Sequence, residues 1–123
     1  MDVAVIADIV GSRLLADRSE AQRAFDHSVA QAEQDLPLAR EPLRATVGDE
    51  LQARYSTLEA ALASVLLVQL ALPDGHDLRF GIGVGPIREI DAGVGRPPLQ
   101  DGPGWWAARA AIETVHARQQ RAV

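Results

Sequence analysis

Two acidic residues, each closing an apolar run, carry the chemistry available to this sequence: Asp8 in "VAVIADIVGS" and Asp49 in "RATVGDELQARY". Two carboxylates about 4 Å apart repel by roughly 4 kcal/mol at an effective dielectric of 20. A shared proton relieves that repulsion. So does a divalent cation, and Mg²⁺ favours one or two carboxylates completed by substrate phosphates. Beyond Asp8, the residues Val10, Gly11 and Ser12 offer backbone N–H groups and one hydroxyl near the start of a helical segment, where a phosphate is favoured. Glu50 is a third candidate metal ligand, although strand alternation turns it away from Asp49 unless the turn redirects it. Either aspartate alone reads as an ordinary turn or cap residue. A metal site requires that the fold bring them together.

The elements that must do so are legible from periodicity. Residues 3–7 are apolar and rich in β-branched types, which predicts a strand buried on both faces, ended by Asp8 and Gly11. From Ser19, with Gln22 as its capping-box partner, apolar or small residues recur at helical spacing through Ala32. Two prolines break that helix. Residues 43–47 and 50–55 then read as strands joined across Gly48-Asp49, a Gly-first loop suited to a type II′ turn.

Thr57 caps a second helix that ends at Pro73. It is apolar around most of its circumference, so one face meets the sheet and the other meets either a partner subunit or the C-terminal helix of the same chain. "HDLRFGIGVGPI" reads as a strand with Gly81, Gly83 and Gly85 on one face, where a helix or another backbone approaches closely. It is not a dinucleotide fingerprint, because the third glycine position is Pro86 and no helix opens there.

"DAGVGRPPLQDGPG" reads as a loop, and Pro103 starts a final helix through "WWAARAAIETVHARQQ". Trp105 and Trp106 point about 100° apart on it, so one fills the core or an interface. Asp101 is expected to cap this helix. Arg44, Arg54 and Arg79 are expected to face solvent.

The order strand, helix, strand, strand, helix, strand, with an extra helix, predicts a single α+β domain over residues 1–123. Its fold class is a ferredoxin-like βαββαβ sandwich, with helices on one face of an antiparallel sheet. In that topology the third strand lies between the first and second, which brings Asp8 and Asp49 to one sheet edge.

Composition narrows the function. At 123 residues and 47% hydrophobic, the chain builds one core. Cysteine is absent, which excludes disulfides, thiolate metal sites and thiol nucleophiles. All 12 basic residues are arginine, so no lysine Schiff base or lysine phosphate clamp exists in the chain. A net charge of −5 argues against direct nucleic-acid binding. The longest apolar stretch is interrupted by Glu59, Ser64 and Gln69 and is too short to span a membrane. With no basic leader at the N-terminus, a cytoplasmic protein is expected. His27, His76 and His116 have no zinc-ligand spacing.

"IADIVGS", "TVGDELQARY" and "LRFGIGVGPI", in this order, resemble the SatD family and, more distantly, the catalytic domains of class III nucleotide cyclases. The resemblance covers nearly the whole chain. It implies that Asp8 and Asp49 bind two Mg²⁺ or Mn²⁺ ions that hold a nucleoside triphosphate, with a backbone carbonyl from Ile9 and phosphate contacts from Val10, Gly11 and Ser12. It matches Arg109 to a catalytic arginine of the cyclases. The asparagine expected four residues earlier is Trp105, and the base-reading lysine before the second Gly-Asp is missing. Homodimerisation is a further implication. Members of the SatD family are often longer, with a C-terminal region resembling a helix-turn-helix, which implies a non-catalytic regulatory or protein-interaction module as the alternative.

Overall fold

The computed structural model describes residues 2–11, 18–46, 50–90, 93–95 and 99–122. β1 (Asp2–Ile9) leads to α1 (Arg18–Asp35), β2 (Ala39–Ala45), β3 (Glu50–Tyr55), α2 (Leu58–Ala71) and β4 (Leu78–Gly85). A short pair, β5 (Arg88–Ile90) and β6 (Leu99–Asp101), precedes α3 (Pro103–Ala122). The main sheet has the order β2-β3-β1-β4 with every neighbouring pair antiparallel. β3 therefore lies between β2 and β1, as the split connection requires.

Alternation along β1 divides the molecule. Val3, Val5, Ala7 and Ile9 join Leu51, Ala53 and Tyr55 in a core covered by α1 and α2. Phe25 of α1 is fully buried in it. Ala4 and Ile6 point the other way and form a second, smaller core with Trp105, Ala108 and Ile112 of α3. The helices thus occupy both faces of the sheet rather than one.

Glycine makes the second face possible. A Cβ on Gly83 would lie 2.1 Å from the Gly104 carbonyl oxygen and 2.3 Å from the Ala108 nitrogen. One on Gly81 would lie 2.4 Å from the Ala108 carbonyl oxygen. The glycine stripe on β4 is the seat of α3, whose backbone approaches closer than any side chain allows.

Other elements differ locally from expectation. β2 starts at Ala39 rather than residue 43 and carries Pro42 within it. That is tolerated because β2 is an edge strand whose register shifts on either side of Glu41. Residues 99–101, expected as loop, pair with β5. Thr57 caps α2 as expected, its side chain accepting from the Ala60 N–H at 3.1 Å. α2 does not meet α3, which lies across the sheet; Leu58, Leu62, Leu66 and Leu70 form an exposed row along it. Among the described residues no helix is long and apolar enough to cross a membrane.

Candidate functional site

The last residue of β1 to face α3 is Asp8. Its register partner across β3 is Glu50, and directly opposed residues have Cβ atoms about 5 Å apart. Both side chains meet α3, so both lie on the same face of the sheet. The sequence points to Asp49 as the partner of Asp8; Asp49 and Ser12 lie outside the described residues. Glu50 is not turned away from Asp8 but stands opposite it.

Both carboxylates are paired with basic side chains. Arg79 of β4, the other register neighbour of Asp8, donates from Nε to Asp8 Oδ1 at 2.9 Å and from Nη2 to Oδ2 at 3.5 Å. His116 of α3 meets Asp8 Oδ2 through Nε2. Arg109 donates from both terminal nitrogens to Glu50, at 2.6 and 2.7 Å. This bidentate pairing raises the Arg109 pKa above its already high ordinary value, outweighing the effect of partial burial. Gln52, one step along the same face of β3, donates to Glu50 Oε1 at 3.3 Å.

Two expectations change here. Arg79 and Arg54 are not solvent-facing: Arg79 is committed to Asp8, and Arg54 is within 4 Å of carboxylate oxygens on Asp2, Glu41 and Glu89. Asp101 is a β6 residue whose carboxylate accepts from the Trp106 indole at 3.2 Å. Of the two tryptophans, Trp105 is buried and Trp106 exposed, as their angular separation requires.

The turn after β1 is partly committed. Ile9 is buried within the β1–β4 ladder, and the Val10 N–H donates to the Asp77 carbonyl at 3.0 Å. Gly11 follows at φ 66°, with open space on its Cβ side. A positive φ of that size is natural only to glycine among most residue types, and it turns the chain out of the sheet at this point. Beside the edge, a cavity of about 350 Å³ opens between α3 and the sheet, lined by Ile6, Gln52, Trp105, Trp106, Arg109 and Glu113.

Carboxylate oxygens are the donor type that Mg²⁺ and Mn²⁺ select. An edge that already gathers two guanidinium groups and an imidazole is one that attracts positive charge. Among the described residues no group of three or more acidic or histidine side chains is arranged to hold a metal ion. Asp8 and Glu50 match such an ion in donor type, and both are paired with basic side chains, Arg79 and His116 on Asp8 and Arg109 on Glu50. His116 and Arg79 were not singled out as site residues. The available signal for His116 was its place at helical spacing from Arg109 and Ile112.

Solved structures of similar shape are nucleotide cyclase domains. A bacterial light-regulated adenylyl cyclase matches with a TM-score of 0.71 and 10% identity, over 94% of this chain and 70% of its own. The guanylate cyclase domain of RhGC from Catenaria anguillulae, solved in complex with GTP, matches with a TM-score of 0.65 and 14% identity, over 89% and 69%. An adenylate/guanylate cyclase/hydrolase from Silicibacter pomeroyi matches with a TM-score of 0.58 and 23% identity, over 100% and 82%. At these identities the likeness shows the fold. No curated protein matches the chain in sequence. The family model of the SatD family matches residues 2–122.

Proposed function

The chain belongs to the SatD family, and we propose that it is a nucleotide-binding regulatory domain that takes a nucleoside triphosphate with Mg²⁺ or Mn²⁺ at the β1–β3 edge. The observation that carries this reading is the pairing of Asp8 with Glu50 across one ladder, at the point where the Gly11 turn leaves the sheet. Asp8 and Glu50, with Asp49 as the sequence expects, are the residues to hold the ion, and the turn at Gly11 is the place for phosphate, with the Ser12 hydroxyl as the expected further contact. When bound, such an ion would neutralise the phosphate charge.

A binding role without cyclisation is supported by α3. Arg109, the residue matched to the cyclase arginine, is engaged at both ends of its guanidinium fork by Glu50. Trp105, four residues earlier, packs its indole into the apolar core with Ala4 and Ile6. It supplies bulk where an asparagine would supply a polar contact. A second reading, a module that binds a protein partner, is favoured by the exposed Leu58, Leu62, Leu66 and Leu70 row on α2.

Thermal unfolding with Mn²⁺ or Mg²⁺ and each nucleoside triphosphate tests the proposal. A ligand at a hundred times its dissociation constant stabilises by about 2.7 kcal/mol. A metal-dependent shift in the wild type, lost in Asp8→Asn and in Asp49→Ala, is expected, with no cyclic nucleotide appearing by chromatography. If no triphosphate shifts the wild type in the presence of metal, the nucleotide reading fails and the protein-partner reading takes its place. Accumulation of a cyclic product would instead make the domain an enzyme.

A further inference from the structure

Helix α3 reaches the acidic edge with two side chains seven residues apart. At 3.6 residues per turn, positions 109 and 116 share one helix face, about 10.5 Å apart. Arg109 closes on both oxygens of Glu50, and His116 closes on Asp8. The two halves of the helix are held differently. The first half is fixed by buried Trp105 and Ala108 and by the glycine seat on β4. Beyond Ile112 the described side chains are half-buried or exposed, and the contact with the edge is polar.

We propose that the Arg109 and His116 side chains of α3 form a latch on the acidic edge: they occupy the carboxylates of Glu50 and Asp8, so latch closure and divalent-cation loading exclude each other. The proposal rests on the reading of Asp8 and Glu50 as cation ligands. Charge explains the exclusion, because a carboxylate already paired with a guanidinium or imidazole has less negative potential to offer an ion. Exposure explains why the latch is the moving part. The side chains of Arg109 and His116 are 46% and 38% exposed, so their release into water strands no buried charge. Arg79 is 17% exposed and belongs to β4, so it stays in place when the Arg109 and His116 side chains swing away.

The test uses the purified protein and Mn²⁺ alone, with free ion followed by electron paramagnetic resonance. Wild type, Arg109→Ala/His116→Ala and Asp8→Asn are compared. The double variant is expected to bind Mn²⁺ at least tenfold more tightly than wild type, and Asp8→Asn to lose the site. In wild type, saturating Mn²⁺ is expected to speed amide hydrogen exchange over residues 113–118 while leaving 104–108 unchanged. Equal affinity in wild type and double variant, with unchanged exchange, overturns the latch and leaves the cation site standing. No bound Mn²⁺ in either protein removes the cation site and the latch together.

Discussion

The two faces of the sheet are built from alternate residues of the same strands, yet they solve different problems. On the face covered by α1 and α2, β1 contributes Val3, Val5, Ala7 and Ile9 in sequence, and every one is buried among apolar neighbours. Its buried polar side chains are few and satisfied: Ser64 accepts from the Tyr55 hydroxyl at 2.7 Å, and the Ser28 hydroxyl lies 3.0 and 3.1 Å from the Ala24 and Ala71 carbonyls. On the face covered by α3, β1 contributes Ala4 and Ile6 and then Asp8. There the apolar core is short, and its continuation is a set of polar pairs reaching from Asp8 and Glu50 to Arg79 on β4 and to Arg109 and His116 on α3. Paired, part-exposed charges contribute little net stability, whereas buried apolar area contributes much. The first face holds the fold, and the second carries charged pairs at a part-exposed edge.

Substitutions on each face break this contrast in different ways. The largest effect is expected from Phe25→Ala, which empties a fully buried aromatic site on the first face and costs about 3–5 kcal/mol. Unfolding by denaturant should then shift for the whole molecule, with far-ultraviolet circular dichroism and tryptophan fluorescence moving together. Separate transitions would show that the two faces do not fold as one unit.

Gly83→Ala comes next. Its Cβ has no place to go, because the atoms it meets are the α3 backbone itself; a cost of about 3 kcal/mol, the upper end of overpacking, is expected. Both tryptophans of the chain are on α3, so their fluorescence should report the loss of seating before the circular dichroism does. A Gly83→Ala protein with unaltered fluorescence and midpoint would contradict the close approach of α3.

Tyr55→Phe is the mildest. It removes a buried hydroxyl bond to Ser64 and should cost about 1 kcal/mol near neutral pH. It also sharpens the comparison through pH. Burial raises the Tyr55 pKa above its ordinary value of 10.0, the hydrogen bond to Ser64 opposing and the charge of Glu33 adding. The unfolded phenol therefore loses its proton first. Stability from this group is complete below pH 10 and falls as pH rises from there toward the folded-state value. Tyr55→Phe should flatten that alkaline decline, measured as the urea midpoint against pH; an identical decline in both proteins would assign it elsewhere.

Much of this architecture is legible in the chain itself, for reasons that are local. A β-branched run ending in Asp8, a Thr57 cap three residues before the amide it accepts from, and Pro103 at the start of α3 each act within a few residues of themselves. The glycine stripe on β4 correctly announces a close backbone approach, because a missing Cβ has few other uses at every second position of a strand. The side from which the approaching helix arrives is a different matter. Nothing local to α3 distinguishes packing beside α2 from packing across the sheet, and the structure chose the latter.

The site divides along the same line. Asp8 is found from its position at the end of an apolar strand, and Arg109 from its family match. Glu50 as the residue facing Asp8 depends on the register of β3 against β1, which one residue of slip would reverse. Arg79 and His116 lie 71 and 108 positions from Asp8, and no spacing rule joins residues so far apart. The sequence by itself determined the order of the main strands and helices, which of their faces are apolar, and which chemistries are absent for want of cysteine and lysine, since side-chain type and local periodicity suffice for these. Only the tertiary structure decided that α3 lies across the sheet from α1 and α2 and closes on the acidic edge, because that depends on long-range packing against a glycine seat and on ion pairs formed after the chain has folded.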